Sequence, residues 1–124
     1  MPIYKTKVFA KWVGKQDLSD AALCAAVAEM KRGLFDADLG GGLFKKRVAR
    51  PEQGKSSGYR TLIATNRNSR WVLVYGFAKN ERSNIDKDEE TALNELAGYL
   101  MGLSQAKLAE ACQAGVLTEV NCGT

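Results

Sequence analysis

Histidine is absent from this chain. That removes the side chain used most often for proton transfer near neutral pH and a common metal ligand. Cysteine is scarce: Cys24, Cys112 and Cys122 are far apart, form no CxxC pair and have no histidine to complete a zinc site. A nucleophilic cysteine would also lack a histidine base. Cys24 falls within a helical apolar pattern and is expected in the core; Cys122, close to the C-terminus, is expected as an exposed thiol. No apolar run approaches the length of a membrane span. The first residues, MPIYKTKVFAKW, carry lysines but no apolar signal-peptide core, so a cytoplasmic protein is expected. Two prolines and a 45% hydrophobic fraction argue against disorder, and 124 residues can bury a core without disulfides or metal.

What the chain does have is positive charge in one place. Leu43 to Arg60, LFKKRVARPEQGKSSGYR, holds six cations and one anion, so its net charge exceeds the +4 of the whole chain. The acids lie mostly elsewhere, notably in Asp86, Asp88, Glu89 and Glu90. A basic strand region thus precedes a more acidic helical C-terminus.

The periodicities predict an α+β domain. Ile3 to Trp12 reads as a short strand or extended entry. Ser19 caps a helix whose face carries Leu23, Val27 and Met30, with Leu18 as a staple and Gly33 as the stop. LGGGL lacks a Walker pattern and reads as a turn. Leu43 to Arg50 is a strand in which Leu43, Lys45, Arg47 and Ala49 share one face and Phe44, Lys46, Val48 and Arg50 the other. PEQGKSSG is a loop, Tyr59 to Thr65 a second strand, NRNSR a hairpin turn and Trp71 to Phe77 a third strand. Asp86 and Glu89 form a capping box for a helix striped by Leu93, Leu96, Leu100 and Leu103. Ser104 caps a last helix with Leu108 and Cys112 inward, and VLTEV is a closing strand.

A meander of this kind draws its cations together. Lys45, Lys46, Arg47 and Arg50 lie on or beside the first strand, Lys55 in the loop, Arg60 inside the second strand, and Lys79 and Arg82 after the third. Each alone is ordinary surface charge. Packed together they repel unless a polyanion is the partner, and nucleic acid is the obvious one. Arg60, in line with Leu62 and Ala64, must reach the sheet edge or be held. Tyr59 and Tyr75 could stack on bases; Trp71 and Phe77 read equally well as strand packing. Without histidine, arginine and lysine could stabilise a phosphorane, and a lysine crowded by cations could move a proton. Glu81, the carboxylate within AKNERSNI, could act as a base or simply pair with Arg82 or a neighbouring lysine.

LGGGLFKKRVARPEQGKSSGYRTLIA followed by WVLVYGFAKNERSNI resembles the RelE/HigB-like toxins of type II toxin–antitoxin systems, in the branch with a GFAKNER-type third strand and a longer helical tail. The resemblance runs from about Lys7 to Val120. It implies one microbial-ribonuclease-like domain over 1–124, with a core over about 3–85 and a helical tail over 86–124. An N-terminal helix would pack on a small antiparallel sheet, with two extra C-terminal helices. It implies a ribosome-dependent endoribonuclease that cleaves mRNA in the A site without metal or other cofactor, covered by an antitoxin with an acidic segment. Arg60 matches the arginine on the scissile phosphate; Lys45, Lys46 and Arg47 match basic positions on the preceding strand; Lys79 and Arg82 match those after the last. Arg50, Lys55, Tyr59 and Tyr75 would add RNA contacts. Asn80 stands where many relatives have arginine, and Ile85 and Asp86 where they have a tyrosine. Glu52 and Ser57 replace common glycines. Two other readings stay open: a ParE-like inhibitor of DNA gyrase, and a catalytically weak RNA-binding protein of the same fold.

Overall fold

The structure, a computed structural model, describes residues 2–50 and 54–123; of residues 54–57 it describes the backbone alone. The chain opens with β1 (Tyr4–Thr6) and turns at once into α1 (Lys7–Val13). The extended reading of Ile3 to Trp12 therefore holds only for its first part. The Thr6 hydroxyl caps the helix by accepting from Phe9 N–H at 3.2 Å, and Phe9 and Val13, one turn apart, bury on the sheet. This local cap outweighs the strand preference of the β-branched residues.

α2 (Asp20–Lys31) starts at Ser19, whose hydroxyl accepts from Ala22 N–H, and buries Leu23, Ala26, Val27 and Met30. It closes with Gly33 at φ +85°, which lets Leu34 N–H reach the Glu29 carbonyl and Gly33 N–H that of Met30. β2 (Ala37–Asp38) then forms a hairpin with β3 (Leu43–Arg50), followed by β4 (Gly54–Thr65) and β5 (Trp71–Ala78). β4 begins at Gly54, so part of the expected PEQGKSSG loop is strand; Pro51, Glu52 and Gln53 fall outside the described residues. The capping box of Asp86 and Glu89 starts α3 (Lys87–Gly102), Ser104 starts α4 (Gln105–Gln113), and β6 (Leu117–Glu119) ends the fold.

The sheet order is β2-β3-β4-β5-β1-β6. It is mixed rather than purely antiparallel, because β1 runs parallel to β5. A parallel neighbour needs a long crossover, here everything between Thr6 and Trp71. On one face α1 and α2 contribute Phe9, Leu23, Val27 and Met30 to a core with Phe44, Ile63, Trp71 and Leu73. On the other, α3 and α4 bring Ala97, Leu100 and Leu108 against Leu43, Leu62, Val72 and Val74. Buried Arg70 closes the end of α3, its guanidinium donating to the carbonyls of Leu100 at 2.9 Å and Leu103 at 2.6 Å. No helix among the described residues is long and apolar enough to cross a membrane.

Cys24 and Cys122 are joined as a disulfide across 98 residues of chain. This corrects the expectation of a free core cysteine and an exposed thiol. Cys112 is free. Asn121 N–H donating to Asp20 at 2.8 Å brings the C-terminal segment to the start of α2, where the two sulfurs meet. Cross-linking so long a loop restricts the unfolded chain, so reduction, or Cys24→Ser, is expected to lower unfolding stability by about 2–4 kcal/mol. Chemical denaturation with and without reductant checks this; coincident curves would mean that the bridge contributes nothing.

Candidate RNA-binding site

Strand alternation and register decide which cations meet. Arg47 lies directly opposite Arg60, Lys45 opposite Leu62, Arg60 opposite Phe77 and Leu62 opposite Tyr75. Lys45, Arg47, Arg60, Tyr75 and Phe77 therefore share the face that α3 and α4 cover. Lys79 continues β5, its N–H donating to the Gly58 carbonyl at 3.0 Å, and alternation turns its exposed side chain the same way. Arg82, with its guanidinium 5.6 Å from the Phe77 ring centroid, completes the group.

The centre is the Arg47–Arg60 pair. Like charges directly opposite on one face of a sheet are destabilising. Arg60 is only 6% exposed, and burial first, then the neighbouring Arg47 charge, pushes its pKa down, while Asp36 acts the other way. Asp36 offsets the repulsion from the rim. Its carboxylate lies 3.2 Å from Arg47 Nε and also accepts the Arg47 backbone N–H at 2.6 Å. Two arginines held together this way form a concentrated site for an anion, with Arg60 deep and Arg47 exposed.

Around them a second network runs through the segment after β5. Lys45 Nζ donates to Asn84 Oδ1 at 3.1 Å, and Arg82 Nε to the Asn84 carbonyl at 2.9 Å. Arg82 Nη1 and Nη2 both reach Glu89, at 2.9 and 2.5 Å, and Nη1 also lies 3.4 Å from the Tyr75 hydroxyl. The hydrogen bonds from Arg82 come first in lowering the Glu89 pKa to about 2, so this carboxylate stays ionised at any pH where the protein would work. The expected pairing of Arg82 with its neighbour Glu81 is not the one formed: the carboxylate on Arg82 is Glu89, in the first turn of α3.

The remaining sequence candidates point the other way. Lys46, expected at the catalytic surface, sits under α2, 5% exposed, with Nζ 2.5 Å from Glu29. Arg50 stacks over Tyr59 at 5.3 Å on that same face. Tyr59 is fully buried, and its hydroxyl accepts from Asp17 N–H at 3.1 Å, so it has no free face for a base. The side chain of Lys55 is outside the described residues. Lys46→Met is expected to lower stability by about 1–2 kcal/mol, since Glu29 keeps some solvent when this cation goes. The salt dependence of RNA binding should not change; a flatter dependence would return Lys46 to the nucleic-acid surface.

Three contributors escaped the sequence reading: Asp36, Asn84 and the second role of Glu89. Asn84 stands within the conspicuous NERSNI segment, and Glu89 was visible as a cap. Asp36 gave no signal.

The model of the family described as the RelE toxin of the RelE/RelB toxin–antitoxin system matches residues 1–120. The chain belongs to the RelE toxin family. No curated protein matches it. Membership makes it the toxin side of a toxin–antitoxin pair, with an antitoxin as partner in general terms.

Proposed function

We propose that this RelE-family toxin is a metal-independent endoribonuclease that cleaves mRNA in the ribosomal A site and so stops translation in the cytoplasm, the whole chain acting as one toxin domain. The observation that carries the reading is the Arg47–Arg60 pair, two cations set directly opposite each other on one face of the sheet. A scissile phosphate between them would gain two charged donors as the 2′-oxygen attacks phosphorus and the 5′-oxygen leaves. Arg60 and Arg47 take the non-bridging oxygens, where charge grows, and Lys79 holds the flanking backbone. Lys45, 3.1 Å from Asn84, is the candidate proton carrier, and Tyr75, across Leu62 on the same face, the candidate aromatic. Lys46, Arg50 and Tyr59 have no part in this site. An acidic antitoxin segment would compete for the same cations.

Purified protein in a defined translation reaction, with mRNA 5′ ends mapped by primer extension, tests the proposal. Cuts at A-site codons that are absent from naked mRNA are expected. Intact mRNA with full translation would overturn it and leave inhibition of gyrase, read by a supercoiling assay, as the next reading. A catalytically weak RNA-binding protein is favoured instead by one feature, the engagement of all three Arg82 guanidinium nitrogens by Glu89, Tyr75 and Asn84. Salt-sensitive RNA binding without cleavage would identify it.

A further inference from the structure

Glu89 does two jobs at once. At the third position of α3 its Oε1 accepts the Asp86 N–H at 2.9 Å, while the Asp86 carboxylate accepts the Glu89 N–H at 2.8 Å. That reciprocal cap fixes the carboxylate in space before it meets anything else. The same two oxygens then take both terminal nitrogens of Arg82, and Oε2 lies 3.5 Å from the Tyr75 hydroxyl. A guanidinium fork gripped from both terminal nitrogens, and through Nε by the Asn84 carbonyl at 2.9 Å, has one orientation left. Asn84 in turn accepts from Lys45. The start of one helix thereby sets the arrangement of Arg82, Tyr75, Asn84 and Lys45.

A helix cap alone needs none of this. Aspartate, serine or glutamine caps a helix without seeking a cation across the sheet. A charged clamp has a further consequence: the carboxylate opposes the charge that Arg82 offers to a polyanion. The Arg82 side chain is about one-third exposed, 34%, so that opposition is felt at the surface where a substrate would lie.

We propose that Glu89 is the positioning residue of the RNA site, holding Arg82 and Tyr75 in a single arrangement while withholding one positive charge from bound RNA. The proposal deepens the ribonuclease reading and rests on it for its cleavage half. Substrate binds less tightly than the cations alone would allow, and the site is ordered in return.

Glu89→Gln separates the roles, because glutamine at this position preserves the helix cap and the side-chain length but not the charge. A 5′-labelled single-stranded RNA oligonucleotide is titrated with wild-type protein and with E89Q over a range of salt, and turnover is measured at saturating mRNA in the translation reaction. The variant is expected to keep its far-UV spectrum and to bind RNA more tightly at low salt. Its log affinity should fall more steeply with log salt, by about 0.7, the slope of one further neutralised phosphate on a single strand. Its turnover should be at least tenfold slower, a split in opposite directions that a merely structural role does not produce. An unchanged slope, or turnover equal to wild type, overturns the proposal and leaves Glu89 as a cap. Absence of cleavage from the wild-type protein would instead overturn the ribonuclease reading, while the binding slopes of the two proteins still decide whether Glu89 withholds charge.

Discussion

Arg60→Ala is expected to lower mRNA cleavage by about a hundred- to a thousandfold, the usual effect of removing one preorganised donor from developing oxyanion charge. The variant should still fold, at a cost of about 1–3 kcal/mol for the buried side chain it loses. Arg60 is 6% exposed and faces Arg47 across the ladder, so its charged form is disfavoured twice, by burial and by repulsion. Removing the cation relieves both but also ends its attraction to Asp36. Arg60→Met, which keeps most of the buried volume, should stay folded, losing no more than about 1–2 kcal/mol in denaturant unfolding, while cleaving no better than the alanine variant. Arg60→Lys adds a finer test. It retains charge but not the planar fork, and recovers only part of the activity if the phosphate is held through two donors. A folded Arg60→Met protein that still cleaves at the wild-type rate would remove Arg60 from the site and with it the arginine-based ribonuclease mechanism.

The contrast with Lys46 shows what can be read from sequence and what cannot. Alternation along Leu43 to Arg50 put Lys45 and Arg47 on one face and Lys46 and Arg50 on the other, and the structure has that division. Sequence could not say which face α2 would cover, because that depends on the placing of helices remote in the chain. Lys46 was therefore pooled with the functional cations, although Glu29, itself on α2, was waiting to pair with it. The caps at Ser19, Asp86 and Ser104 were legible because a cap is a local exchange among four residues. α1 was missed because Thr6 reads as a strand residue until its hydroxyl is seen on Phe9 N–H. The disulfide was missed for the opposite reason, a contact across 98 residues with no local mark. Glu89 falls between the two: its cap is local, but its grip on Arg82 depends on how residues 79–86 return over the sheet.

Gly58→Ala is expected to be the most damaging single methyl in the site, lowering stability by about 1–3 kcal/mol and cleavage by more than the loss of folded protein explains. Gly58 opens the Gly58-Tyr59-Arg60 run. Its importance is one of space rather than of an unusual dihedral. The register of β3 and β4 shifts between Val48 and Arg50, and the shifted backbone passes over Gly58. A Cβ added there would collide with the Val48 carbonyl oxygen and stand 2.9 Å from Arg50 N and 3.2 Å from the Ala49 carbonyl carbon. These are backbone atoms with no rotamer to change, so β3 itself must move away. β3 carries Arg47, and the pair that faces it across the ladder is Arg60. Any shift that clears the methyl therefore opens the spacing of the two arginines on which phosphate binding depends. Cys24→Ser is the matched control, since its expected loss of stability comes from releasing the C-terminal segment and adds no atom between the two strands. With both variants compared at equal folded fraction, Gly58→Ala should cleave at least tenfold more slowly than Cys24→Ser. Equal rates would show that the close packing of β3 on Gly58 serves stability alone. A Gly58→Ala protein that unfolds like the wild type would show that the strands can separate there without cost, and the arginine spacing would then need another explanation.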